Sequence, residues 1–361
     1  MIYIYSMKTK SVNISFYILT GIIITVLYLF LAAKPLTKEY HFTPEWKINT
    51  TSPETENPDP EQKILHFRLG QTLGYFTENG ILTLCRTFPT KASVSDSYFA
   101  TYSTNAGGTK FFTSTGEQAG TIKEFGFPYF SGNQIFVFLP GGNSFAACSS
   151  DGSTKWVYEG TTPITAFNSK EKFTAAGFAD GTIKIFDNET GNDEMAFAPG
   201  GSDSSVIFGA DISPDGQYIA CISGQKQQRF ALFHREENHS KCIFHNFLTN
   251  EVNYQTIVHF TKDGKRILYN SKDSLGIYDL NKKQNTFIPL ESRIISVKET
   301  SDLVFLLGKN ADIYTVYVIE KTNTLEGKFS FKAETAFINT TEDSLFIGKD
   351  STISKISLTR N

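Results

Sequence analysis

The feature that most constrains this chain is a hairpin that it writes again and again. Residues 174–191, TAAGFADGTIKIFDNETG, hold a short apolar run, a turn at Asp180-Gly181, an alternating run and a second turn at Thr190-Gly191. In the second run Ile183 and Ile185 share one side and Thr182 and Lys184 the other, the period of two of a half-buried strand. The same grammar recurs in GYFTENGILTLCR from residue 74, YFATYSTNAGGTKFFTS from 98 and IFVFLPGGNSFAACSS from 135. It returns in YIACISGQKQQRFALFHR from 218, ILYNSKDSLGIYDL from 267, VFLLGKNADIYTVYV from 304 and LFIGKDSTISKISL from 345. Self-similarity at a spacing of about 20–50 residues marks a repeat architecture.

Each hairpin is flanked in a regular way. DISPDGQYIA (211–220) and FTKDGKRILY (260–269) place an Asp-Gly turn before the first strand, and KETSDLVFL (298–306) and NTTEDSLFI (339–347) place a comparable turn there. After the hairpin come another turn and a further strand, as in SDGSTKWVYEG (150–160) and DNETGNDEMAFAP (187–199). One unit is therefore four antiparallel strands. A sheet of that size cannot bury both faces alone, and radial stacking buries them between neighbours. The expected fold is all-β: a seven- or eight-bladed β-propeller of four-stranded antiparallel blades over residues 62–361, preceded by one N-terminal transmembrane helix. A β-sandwich would not need eight similar hairpins. The chain ends on TISKISLTRN, so residues 63–68, KILHFR, are expected to supply the missing last strand. The 32 Phe and 16 Tyr suit pleated, half-buried surfaces.

The pairs Ile185-Phe186-Asp187 and Ile277-Tyr278-Asp279-Leu280 stand where WD40 repeats write Trp-Asp, and ISPDGQYIA (212–220) has the form of their lead-in to the second strand. On these residues the chain resembles the WD40-like and quinoprotein-like (PQQ-like) β-propeller superfamily. No unit carries the Gly-His dipeptide or the Trp of the Trp-Asp pair, so the resemblance is to a degenerate bacterial propeller. It implies a fold and says almost nothing of function.

Residues 14–33, ISFYILTGIIITVLYLFLAA, carry no charge and have the length of a bilayer-spanning helix. They are expected to form an uncleaved signal anchor behind a short tail (1–13), with the N-terminus cytoplasmic and the propeller exported. MKTKSVN, from Met7, makes a more usual start than MIYIYS. Residues 34–61 have five prolines and no core pattern, and read as a flexible linker. The sequons at Asn49, Asn188, Asn238 and Asn339 are given no weight.

The chemistry is sparse. Cys85, Cys148, Cys221 and Cys242 have no CxxC spacing and read as small hydrophobes; only Cys221 and Cys242 are close enough in sequence to suggest a disulfide. A net charge of −3 gives no basic excess for nucleic acid. His234, His239 and His245 cluster near Cys242 in a pattern that matches no zinc motif, and a polar loop explains them. Asp151, Asp180, Asp215 and Asp263 sit in Asp-Gly turns, which account for them. There is no Gly-x-Ser-x-Gly elbow and no P-loop. Of the two tryptophans, Trp46 falls in the linker and Trp156 in the repeats, too few for a quinone-dehydrogenase propeller. No catalytic, cofactor-binding or metal residue is assigned, and no cofactor. The expected function is a membrane-anchored, non-catalytic protein-interaction scaffold in the cell envelope, with protein partners. A metal-dependent hydrolase or lactonase working at the central channel is the alternative, and a ligand-binding sensor is the third reading.

Overall fold

The computed structural model describes residues 14–32, 40–55, 62–103, 108–237 and 239–360. The chain divides into a large unit, Thr43–Ser357, and a small one made of Met1–Phe42 and Leu358–Asn361. The small unit contains a helix, Ile14–Ala32, and Arg360 there sets its guanidinium 5.2 Å from the centre of the Tyr40 ring.

The expectation of a transmembrane anchor over 14–33 is corrected. Among the described residues, no helix is long and apolar enough to cross a membrane. The tail over 1–13, with its alternative start at Met7, lies outside the described residues.

The large unit is a propeller of eight sheets, which decides the blade number. Blade 1 holds strands Ile64–Leu69, Thr72–Thr77 and Leu82–Thr87. Blade 2 runs from Lys91–Val94 to Gln118–Ile122, blade 3 from Phe127–Ser131 to Thr154–Tyr158, and blade 4 from Ile164–Ser169 to Asp193–Phe197. Blade 5 runs from Ile207–Ile212 to His239–Phe247, blade 6 from Val258–Phe260 to Gln284–Pro289, and blade 7 from Arg293–Glu299 to Thr324–Lys332. Blade 8 orders Ala336–Thr340, Ser344–Lys349, Thr352–Arg360 and, outermost, Tyr40–Asn49. In blades 2 to 8 the repeated hairpin is the middle strand pair, and in blade 1 it is the second and third strands. Leu303–Asn310 and Ile313–Glu320 of blade 7, for example, pair residue by residue from Leu303 opposite Glu320 to Asn310 opposite Ile313.

Ring closure differs from the sequence expectation. KILHFR forms the innermost strand of blade 1, and the strand that completes blade 8 comes from the segment read as linker. Pro44 hid it. An outermost strand has an unpaired edge, where a missing N–H costs nothing. Beyond Pro44 the strand alternates half-buried Trp46 and Ile48 with exposed Glu45 and Lys47. Lys355 pairs with Glu45 at 2.8 Å, and the Thr50 N–H donates to the Ser351 carbonyl at 2.8 Å. Blade 1, in turn, has three strands among the described residues. Its open edge is partly covered by the chain leaving blade 8: the Thr55 N–H donates to the Leu82 carbonyl, and Glu54 accepts from the Cys85 N–H and pairs with Arg86 at 2.7 Å. The rest of the linker, 34–39 and 56–61, lies outside the described residues.

The core lies between blades, not within them. Ile183 and Ile185 of blade 4 pack with Ile207, Ile212 and Ile219 of blade 5, and Phe67 and Phe76 of blade 1 pack with Phe346 and Ile353 of blade 8. Phe230 of blade 5 stacks on Tyr269 of blade 6 with ring centres 3.8 Å apart and planes 4° from parallel. Such offset or stacked pairs contribute about 1 kcal/mol beyond the area they bury.

Candidate functional site

The innermost strands of blades 5 to 8 carry a polar side chain at one shared register. Four residues ahead of a turn aspartate stand Asp211 in blade 5, His259 in blade 6, Lys298 in blade 7 and Asn339 in blade 8. These side chains line or stitch the central channel. Asp211, fully buried, accepts from its neighbour's N–H at Ile212 (2.9 Å), from the Phe260 N–H of blade 6 (2.7 Å) and from the Lys170 ammonium of blade 4 (2.9 Å). One carboxylate thus joins three blades. Asn168 of blade 4 donates to the Ala210 carbonyl at 2.8 Å, and Asn339 to the His66 carbonyl of blade 1 at 3.3 Å. Buried charge is tolerated only with such full pairing.

Glu299 repeats the arrangement between blades 6 and 7. It accepts from the Lys262 N–H at 2.9 Å, lies 3.2 Å from His259 Nε2 and pairs with Lys321 at 3.0 Å. Burial pushes its pKa up, but His259 and Lys321 outweigh burial and hold it below the ordinary value. Asp96 lies 2.6 Å from His66 Nδ1. Burial opposes its ionisation, and the His66 hydrogen bond and charge prevail, holding the carboxyl well below the usual range.

At the end of the channel where the inner strands turn outward, these groups surround a cavity of about 420 Å³. Lys63, Asp96, Lys262, Lys298 and Glu299 line it, with Pro214, Phe260 and Val297 as apolar wall. A second cavity of about 570 Å³ continues from the shared residues His259 and Val297 along Tyr129, Asn168 and Arg293. Burial, and repulsion from Lys262 and Lys63, draw the Lys298 amine below its ordinary pKa, against the pull of Asp96.

The residues singled out in the sequence lie elsewhere. The Asp-Gly aspartates cap their own turns: Asp215 accepts from the Gln217 N–H (3.0 Å) and the Ser213 hydroxyl (2.5 Å), and Asp263 from the Lys265 N–H and the Thr261 hydroxyl in the same way. Asp151 and Asp180 cap with Ser153 and Thr182. Asp187 and Asp279, which carry the family resemblance, do the same for the N–H groups two and three residues on. His234 and His239 share Glu236 on the outer hairpin of blade 5, whereas His245 packs its ring on Phe247 and Cys242 turns its thiol to the Phe244 carbonyl. Those four are not gathered, and among the described residues no group of His, Cys, Asp and Glu could hold a metal ion. All four cysteines are free thiols, with Cys221 buried and Cys242 exposed.

Trp46, expected in a linker, instead seals blade 8 to blade 1. Its indole N–H donates to the Glu78 carbonyl at 3.1 Å and its ring covers Gly80. Trp156 does the same between blades 3 and 4, donating to the Asn188 carbonyl at 3.0 Å and lying on Gly191. Sequence reasoning missed the channel residues. Their signal is the fixed polar position four before the turn aspartate, which becomes visible only when blades 5 to 8 are superposed in register.

The family described as beta-propeller protein matches residues 7–360. The chain belongs to that family. The propeller is 27% identical to an uncharacterized protein of Treponema pallidum (strain Nichols) over 363 aligned residues, covering 98% of this chain and 96% of the relative. Among solved structures it is similar to BamB from Moraxella catarrhalis, with a TM-score of 0.59, 12% identity, and coverage of 88% of this chain and 100% of that one. It is also similar to the computationally designed Ika8 protein, with a TM-score of 0.62, 15% identity, and coverage of 82% and 93%. Identities this low speak to the fold alone.

Proposed function

We propose that this propeller is a non-catalytic protein-interaction scaffold. The observation that carries the reading is the rim of blades 5 to 7. Their outermost strands leave large apolar side chains in solvent: Ile243 and Phe247 in blade 5, Phe287 in blade 6, Leu325 and Phe329 in blade 7. Phe247 and Phe287 are 50% and 47% exposed, unusual for phenylalanine on successive elements. The outermost strands of blades 5 and 7 are nine residues long with free edges, so backbone pairing can join side-chain docking there. The Asp-Gly aspartates cap their own turns and the buried Asp211 and Glu299 stitch blades together, which fits a binding surface on a rigid ring better than a reaction centre.

The test compares the full chain with a Phe247→Glu, Phe287→Glu, Phe329→Glu variant in cross-linked native extracts. A partner recovered in stoichiometric amount with the wild type, and reduced at least about 10-fold with the variant at unchanged melting temperature, supports the scaffold. No stoichiometric partner, or one retained by the variant, overturns it.

A further inference from the structure

We propose that the channel mouth framed by Lys63, Lys262 and Lys298 is a binding site for the oxyanion group of a small molecule, a phosphate or a polycarboxylate. The inference does not depend on the scaffold reading. Lys63 leads into blade 1, Lys262 stands in the first turn of blade 6 and Lys298 on the inner strand of blade 7. Three separate blades therefore bring ammonium groups to one cavity of about 420 Å³.

Three of the carboxylates nearby have partners of their own. Asp211 holds Lys170 at 2.9 Å, Glu299 holds Lys321 at 3.0 Å, and Asp96 is bound to His66 at 2.6 Å. Among the described residues, none of the three framing lysines has a carboxylate at ion-pair distance; the Lys262 ammonium reaches only the Glu299 carbonyl, at 3.4 Å. Asp96 attracts Lys298 through space, and Glu171 also lines the cavity. Four lysines, Lys170 included, and three carboxylates line the cavity, which leaves positive charge at a mouth where Lys63 and Lys262 are exposed and Lys298 is half-buried, and the like charges repel. Lysine is a compact point charge suited to oxyanions, and Phe260, Val297 and Pro214 offer an apolar wall beside it. The volume falls within the range of small-molecule sites, about 300–1,000 Å³. A bound oxyanion would offset the repulsion among these lysines.

The experiment is calorimetric titration and thermal unfolding of the full chain with sodium phosphate and with citrate, at pH 7 and an ionic strength fixed with chloride. Saturable binding is expected, together with a rise in melting temperature that chloride alone does not give. Lys298→Met and Lys262→Met should each weaken it at least about 10-fold. Binding of phosphate alone identifies a phosphate ester, binding of citrate alone a polycarboxylate, and equal binding a site that reads charge. Absence of saturable binding of either anion up to about 10 mM overturns the proposal, as does wild-type affinity in both variants.

Discussion

At the scale of single residues, the channel shows what a buried charge does when its partners come from different blades. Glu299 is the clearest case, with its side chain only 3% exposed and three partners from two blades. Its folded pKa lies below the unfolded value of about 4.3. The stabilisation it gives is therefore complete above about pH 4.3 and is lost as pH falls through the folded pKa, because the unfolded chain then binds the proton more readily. Glu299→Gln should cost about 2 kcal/mol at pH 7, the worth of a charged hydrogen bond. The gap between variant and wild type should narrow in acid. Urea titrations at pH 7 and pH 3 check this, and a gap that widens at pH 3 would contradict the assignment. Little of this was legible beforehand. The sequence offers Lys298-Glu299 as an unremarkable charged pair, and only its register against Asp211, His259 and Asn339 gives it a place.

At the scale of elements, the strand Tyr40–Asn49 decides how the ring holds together. It lies far from blade 8 in sequence, so its loss would leave that blade without an outer strand and expose Trp46's seat on Phe76 and Phe346. Trp46→Ala should destabilise the protein by about 2–3 kcal/mol, somewhat less than a fully buried tryptophan. Hydrogen exchange should rise first in blades 8 and 1, with blades 4 and 5 still protected; a uniform rise would place the seal elsewhere. The strand escaped the sequence reading for a local reason. Pro44 and the charged neighbours resemble a tether, and the alternation of Trp46 and Ile48 spans too few residues to speak against it. The eight hairpins were readable because their turns impose demands that side chains meet locally. At Gly216, for instance, φ is +74° and a Cβ would come within 2.5 Å of the Phe173 ring.

For the whole molecule, the interleaved cores predict that blades do not open singly. The thiols test it. Cys242 is exposed, whereas burial pushes the Cys148 thiol up to about 11 and the Cys221 thiol up to about 12. The folded protein at pH 8 should react rapidly at Cys242, slowly at Cys85, and at Cys148 and Cys221 only at the rate of global unfolding. Fast labelling of Cys221 would show blade 5 opening alone. The sequence by itself determined the all-β class, the recurring hairpin and the turn role of the Asp-Gly aspartates. Each of these follows from contacts within some tens of residues, where period and turn chemistry act directly. Tertiary structure decided the rest: the closing strand drawn from the N-terminal segment and the meeting of Lys63, Lys262 and Lys298 at one mouth. Those features depend on residues brought together by ring closure, and no local pattern in the chain records which strand will lie beside which.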